Sequence, residues 1–154
     1  MSAIKKLIGT GTAAFCIFDL EALAHRLDDD CDWWSVEEDE VEEINKGNCI
    51  IFGTGIDGGF DFEIFENEVI SEPNLEVIIK APSGKIYIGA GEEISGGNTY
   101  PKENSQYYNG IFLNLEKGNY LVTIKNDSSN IKVAISKTNK DAINKLTEPL
   151  MIEV

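Results

Sequence analysis

The stretch IFLNLEKGNYLVTIKNDSSNIKVAI, Ile111 to Ile135, decides the fold. Apolar residues fall at every second position in three runs: Ile111, Leu113 and Leu115; Tyr120, Val122 and Ile124; Ile131, Val133 and Ile135. A side-chain period of two marks strands with one buried face. The runs are separated by Glu116-Lys117-Gly118-Asn119 and by Asn126 to Asn130, both rich in turn formers. The same pattern extends toward the amino terminus. Phe60, Phe62 and Ile64 alternate with Asp61 and Glu63, and Leu75, Val77 and Ile79 and then Ile86 and Ile88 follow. Pro82-Ser83-Gly84 punctuates the last two sets. Short strands with short turns predict a mainly β protein, an antiparallel, jelly-roll-like sandwich. At 154 residues the chain is expected to form one domain.

Four other segments complete the layout. Residues 10–18 read as a buried first strand. Asp19 then caps a helix that places Leu20, Leu23 and Leu27 on one face. Gly53 to Gly58 has the letters of a dinucleotide-binding loop, but it precedes a strand rather than a helix and reads as a glycine-rich hairpin. Residues 138–146 suggest a short helix with Ile143 and Leu146 inward, and Leu150 to Val154 a last strand. The long connection Gly89 to Gly110 reads either as an ornamented crossover between sheets or as a functional loop. Its Tyr100, Tyr107 and Tyr108 are candidate ligand contacts.

Charge is concentrated in one place. Ten of the sixteen residues from Asp28 to Glu43 are acidic, and Trp33 and Trp34 sit among them. Asp19 to Glu43 carries a net of −11, out of −14 for the whole chain. Concentrated like charge opposes folding and projects a field outward. A cation or a basic protein surface is the expected counterpart. Nucleic acid and anionic membranes would be repelled. The candidate contacts are Asp28, Asp29, Asp30, Asp32, Glu37, Glu38 and Asp39, with Trp33 and Trp34 as one buried and one exposed anchor. The plainer account of any single carboxylate is a solvated surface. Ser35 and Glu38 have capping-box spacing and Gly47 offers a stop, so residues 36–46 read equally as a helix or an acidic loop.

No catalytic set emerges. His25 is the sole histidine, and no serine motif accompanies it. Asp28, Asp30 and Asp32 have the spacing of a calcium loop, but Trp33 stands where that loop needs glycine. Neither a metal site nor a cofactor is expected. Cys16 and Cys49 lie in apolar runs and read as reduced core residues. With the broken apolar stretch after Lys5-Lys6, they favour the cytoplasm.

The segments FDLEALAHRLDDDCDWW (Phe18–Trp34) and GTGIDGGFDFEIF (Gly53–Phe65) resemble small acidic bacterial proteins encoded beside interbacterial toxins. That resemblance implies an immunity protein that neutralises a cognate toxin by occluding a basic site, and it carries over no particular residue. The run GNYLVTIKNDSSNIKVAIS looks like the last strands of jelly-roll accessory domains. Two other functions therefore stay open: a carbohydrate-binding sandwich, with or without calcium, and a small hydrolase.

Overall fold

A computed structural model of the protein describes residues 3–26, 33–94, 101, 109–128 and 130–153. The strands are β1 (Ile4–Thr10), β2 (Ala14–Asp19), β3 (Ile50–Gly53), β4 (Gly58–Glu66), β5 (Leu75–Ala81), β6 (Lys85–Ala90), β7 (Ile111–Asn114), β8 (Gly118–Asp127), β9 (Asn130–Thr138) and β10 (Leu150–Met151). A single α-helix among the described residues, α1 (Glu37–Asn45), lies between β2 and β3. One sheet has the order β1-β4-β9-β8-β5 and the other β10-β3-β2-β6-β7.

The period-two residues form the core as read. Val122 of β8 lies opposite Val77 of β5 and Ile135 of β9, and all three are buried. From the second sheet, the Phe15 ring meets Phe60 and Phe62 of β4 at centroid distances of 5.6 and 4.8 Å. The two sheets thus share one core, which Leu23, Trp33 and Ile44 join from the connection between β2 and β3. β2 buries all six of its residues, as a central strand must.

The connectivity departs from a purely antiparallel sandwich. β4 pairs with β9, and β3 with β10, in parallel. The cause is that the chain repeatedly changes sheet. Gly53 to Gly58 is therefore no hairpin: it carries the chain from β3 in one sheet to β4 in the other. Pro82-Ser83-Gly84 makes the same change from β5 to β6. Conversely, the connection read as Gly89 to Gly110 is no crossover between sheets, because the strands it joins, β6 and β7, are antiparallel neighbours in one sheet.

Three further expectations are corrected. The first strand is two strands, split at Ala13, whose φ of 55° turns the chain from one sheet to the other. The segment after Asp19 is 3-10 helix from Leu20 to Arg26 with a kink at Leu23, so Ala22 and Leu23 are buried instead of an α-helical stripe. Asp19 does accept the Glu21 N–H at 3.0 Å, as a cap would. Leu27 lies outside the described residues. Residues 139–149 form no helix. They run as an irregular strap, with Ile143 63% exposed and Leu146 packed against the core.

Candidate functional site

Helix α1 resolves the open choice in the acidic segment in favour of a helix. Its nine residues include six acids, four of them in the first turn. Negative charge at a helix N-terminus is favourable, which offsets part of the mutual repulsion. The capping box is not formed: Val36 is the N-cap and no side chain caps the helix. The stop is as expected. Gly47 has φ 74°, and a β-carbon there would stand 2.4 Å from the Ala142 carbonyl oxygen. Only glycine satisfies both the turn and the packing.

A helical repeat of 3.6 sorts the residues of α1 into three stripes. Ile44 points into the core, and Glu40 lies one turn before it, half-buried. Burial, with Glu37 beside it, pushes the Glu40 carboxyl up to about 7. Asp39 and Glu43 face the 3-10 segment. Glu43 is 1% exposed and accepts from His25 Nε2 at 2.7 and 2.8 Å and from Asn48 Nδ2 at 3.3 Å. Arg26 approaches Glu43 and Asp39, each at 3.7 Å, and lays its guanidinium 5.0 Å from the centroid of the Trp33 ring. Trp33 is buried and Trp34 partly buried against the core, so the first tryptophan is the internal anchor.

The third stripe, Glu37, Glu38, Val41, Glu42 and Asn45, lines a groove of about 620 Å³ against the strap. Val41, Ile143 and Pro149 give it apolar surface. Glu42 pairs with Lys46 at 2.8 Å, and this hydrogen bond lowers the Glu42 carboxyl below its usual range. Glu37 and Glu38 are exposed and have no cationic partner among the described residues. The strap is held by side-chain amides. Asn144 accepts from the Ile78 N–H and donates to the carbonyls of Ile78 and Ile44 at 2.8–3.0 Å, while Asn45 and Leu146 exchange two bonds.

Of the sequence-derived candidates, the structure places Trp33, Trp34, Glu37, Glu38 and Asp39 on or under α1. Asp28, Asp29, Asp30, Asp32, Tyr100, Tyr107 and Tyr108 lie outside the described residues. Sequence reasoning missed Glu43, His25, Val41 and Ile143. His25 and Glu43 are 18 residues apart, and no local pattern joins them.

A second concavity, of about 350 Å³, opens between the end of β2, the Ser83-Gly84 turn and β7. Phe18, Tyr87 and Phe112 supply aromatic wall. Its buried Asp19 is fully engaged, accepting from Ser83 Oγ and from the N–H groups of Ser83, Gly84 and Glu21. Cys16 and Cys49 are free thiols at 0% exposure, and burial pushes both well above the ordinary thiol range. Among the described residues no helix is long and apolar enough to cross a membrane.

The site is thus an acidic, grooved helix laid on a two-sheet, mainly β scaffold. The chain belongs to a family of unknown function, DUF6386, whose model matches residues 1–152. No curated protein matches it. Among solved structures, it is similar to Crocagin biosynthetic gene J, at TM-score 0.58 and 10% identity over 90% of this chain and 98% of that one. It also matches ComJ from Bacillus subtilis, an inhibitor of the DNA-degrading activity of NucA, at TM-score 0.47 and 14% identity over 89% and 98%. The first likeness concerns the fold alone, and the second is too distant to carry an argument.

Proposed function

We propose that the protein is a binding protein without chemistry of its own, which occludes a basic surface or active site on a protein partner. In its most concrete form the partner is a toxin and this chain its immunity protein, acting in the cytoplasm. The observation that carries the reading is the groove beside α1. Exposed Glu37 and Glu38, without a cationic partner among the described residues, stand at its edge and exposed Ile143 supplies apolar surface. An apolar anchor within a charged surround is how protein interfaces concentrate affinity and steer approach. Two buried thiols of raised pKa are poor nucleophiles and suit a reducing compartment.

The test is co-expression with the protein encoded beside it. The reading expects growth to be rescued, and rescue to be lost when Glu37, Glu38 and Ile143 are replaced together. Absence of rescue and of binding, with both proteins folded, would contradict it. The aromatic concavity at Phe18, Tyr87 and Phe112 favours a second reading, a ligand-binding sandwich. In that case Phe112→Ala would abolish function and the groove variant would not.

A further inference from the structure

The groove beside α1 has two walls. Every described residue that lines it belongs to α1, to its C-cap Lys46 or to the strap. Arg26 and Trp33 stand against the other flank of the helix, beside Asp39 and Glu43. Charge along the groove is graded. Glu37 and Glu38 are exposed in the first turn of α1. At the far end Lys46 holds Glu42 at 2.8 Å, so that end is close to neutral. Between the ends, half-buried Val41 of the helix and exposed Ile143 of the strap supply apolar surface. Val41 lies one helical turn from the two acids, about 5 Å along the axis. An occupant must therefore offer cations at one end and an apolar side chain at that interval. Positions i and i+4 of a helix meet the requirement, and so do i and i+2 of a strand. The groove selects between them. An extended segment needs a strand edge for its backbone N–H and C=O groups. Neither wall is a strand, and the β5 edge is taken at Ile78 by Asn144 and at Lys80 by Gly47. A helix satisfies its own backbone and needs only side-chain contact.

We infer that the groove docks an amphipathic helix of the partner, which seats an apolar side chain between Val41 and Ile143 and sets lysines or arginines one turn away against Glu37 and Glu38. This rests on the reading of α1 as a docking surface, and it names the element of the partner that fits there. Lys46 sets where the acidic face ends, because its pair with Glu42 keeps a third carboxylate out of the contact. It thereby favours a helix basic at one end over a helix basic throughout.

The probe is a lactam-stapled helical peptide with a leucine one turn from two lysines. Two controls keep its charge: a diastereomer with D-residues at its centre, which cannot form the helix, and a version with glutamine in place of the leucine. The helical peptide should shift the amides of Val41, Ile143 and Thr147 saturably, and bind at least several-fold more tightly than either control. Ile143→Ser, at an exposed position, should weaken it several-fold with the fold intact. Lys46→Gln should tighten it, a gain that damage to the fold does not produce. Lys137→Gln removes a similarly exposed lysine from its pair with Glu116, at the end of β9, and should leave binding unchanged. A control that binds as tightly as the helical peptide, or equal gains in the two lysine variants, would overturn the inference and leave the docking surface standing on charge alone. If no peptide moves the amides of α1 or the strap, both fall.

Discussion

At the scale of the residue, Glu43 and Glu40 show how the same side chain one turn apart serves opposite ends. Glu43 is buried with its hydrogen bonds made, by His25 and Asn48. Glu43→Ala removes the acceptor and leaves the buried Asn48 amide unpaired, which should cost about 1–3 kcal/mol. Urea unfolding at pH 7.5 measures it, and an unchanged midpoint would mean that the pair holds nothing together. Glu40 is half-buried with no cationic partner among the described residues, and its carboxyl is pushed up to about 7. Between the ordinary carboxyl range and that value the folded state binds more protons than the unfolded one. Stability from this group is therefore complete at low pH and is lost as pH rises through about 7. Glu93, raised by burial, acts in the same direction. The urea midpoint should be higher at pH 6 than at pH 8, and Glu40→Gln should raise the midpoint at pH 8 and flatten the slope. A slope unaltered by that change would remove Glu40 as its source. Cys16 and Cys49, both at 0% exposure, should react with a thiol reagent only at the rate of unfolding.

At the scale of the element, the strap is the device that builds the groove. β5 is an edge strand, and Asn144 occupies that edge by bonding both the N–H and the carbonyl of Ile78. Lys80 N–H on the same edge is taken by the Gly47 carbonyl at 2.8 Å. A covered edge resists pairing with another chain. Asn144→Ala should destabilise the fold by about 2–3 kcal/mol, since the N–H and carbonyl of Ile78 lose their partner on that edge and the Ile44 carbonyl is left with the Gly47 N–H alone. It should also open the strap, visible as faster amide exchange at Ile78. Full protection at Ile78 in a destabilised variant would place the strap's anchor elsewhere.

Most strands were legible because burial of one face writes itself as alternation. β1 was not, because Lys5 and Lys6 break the pattern and four of its first residues are exposed. The strap was misread as a helix because capping residues and spaced apolar positions are local signals, while Asn144 is recruited by a strand 66 residues away. Turn chemistry likewise marked Gly53 to Gly58 as a turn without saying which sheet the next strand would join. For the site, composition pointed at Glu37, Glu38 and Asp39. The groove itself needed the strap in place, and the His25–Glu43 pair needed the kinked 3-10 segment.

At the scale of the whole molecule, the account is one of separation. Two sheets share a core that carries the stability, and the charge is gathered on the connection between β2 and β3, outside the strand pairings. Of the net −14, the interval Asp19 to Glu43 holds −11. Such a distribution makes encounter with a basic partner fast and salt-sensitive without constraining the scaffold. The most direct test is the association rate with the partner, measured across a salt series for the wild-type protein and for a variant with Glu37, Glu38 and Asp39 changed to Gln, Gln and Asn. The account predicts a wild-type rate that falls about tenfold or more between low and high salt. It also predicts a variant that associates more slowly at low salt, with a shallower dependence and an intact fold. A flat salt response in the wild type, with the variant binding equally fast, would contradict it.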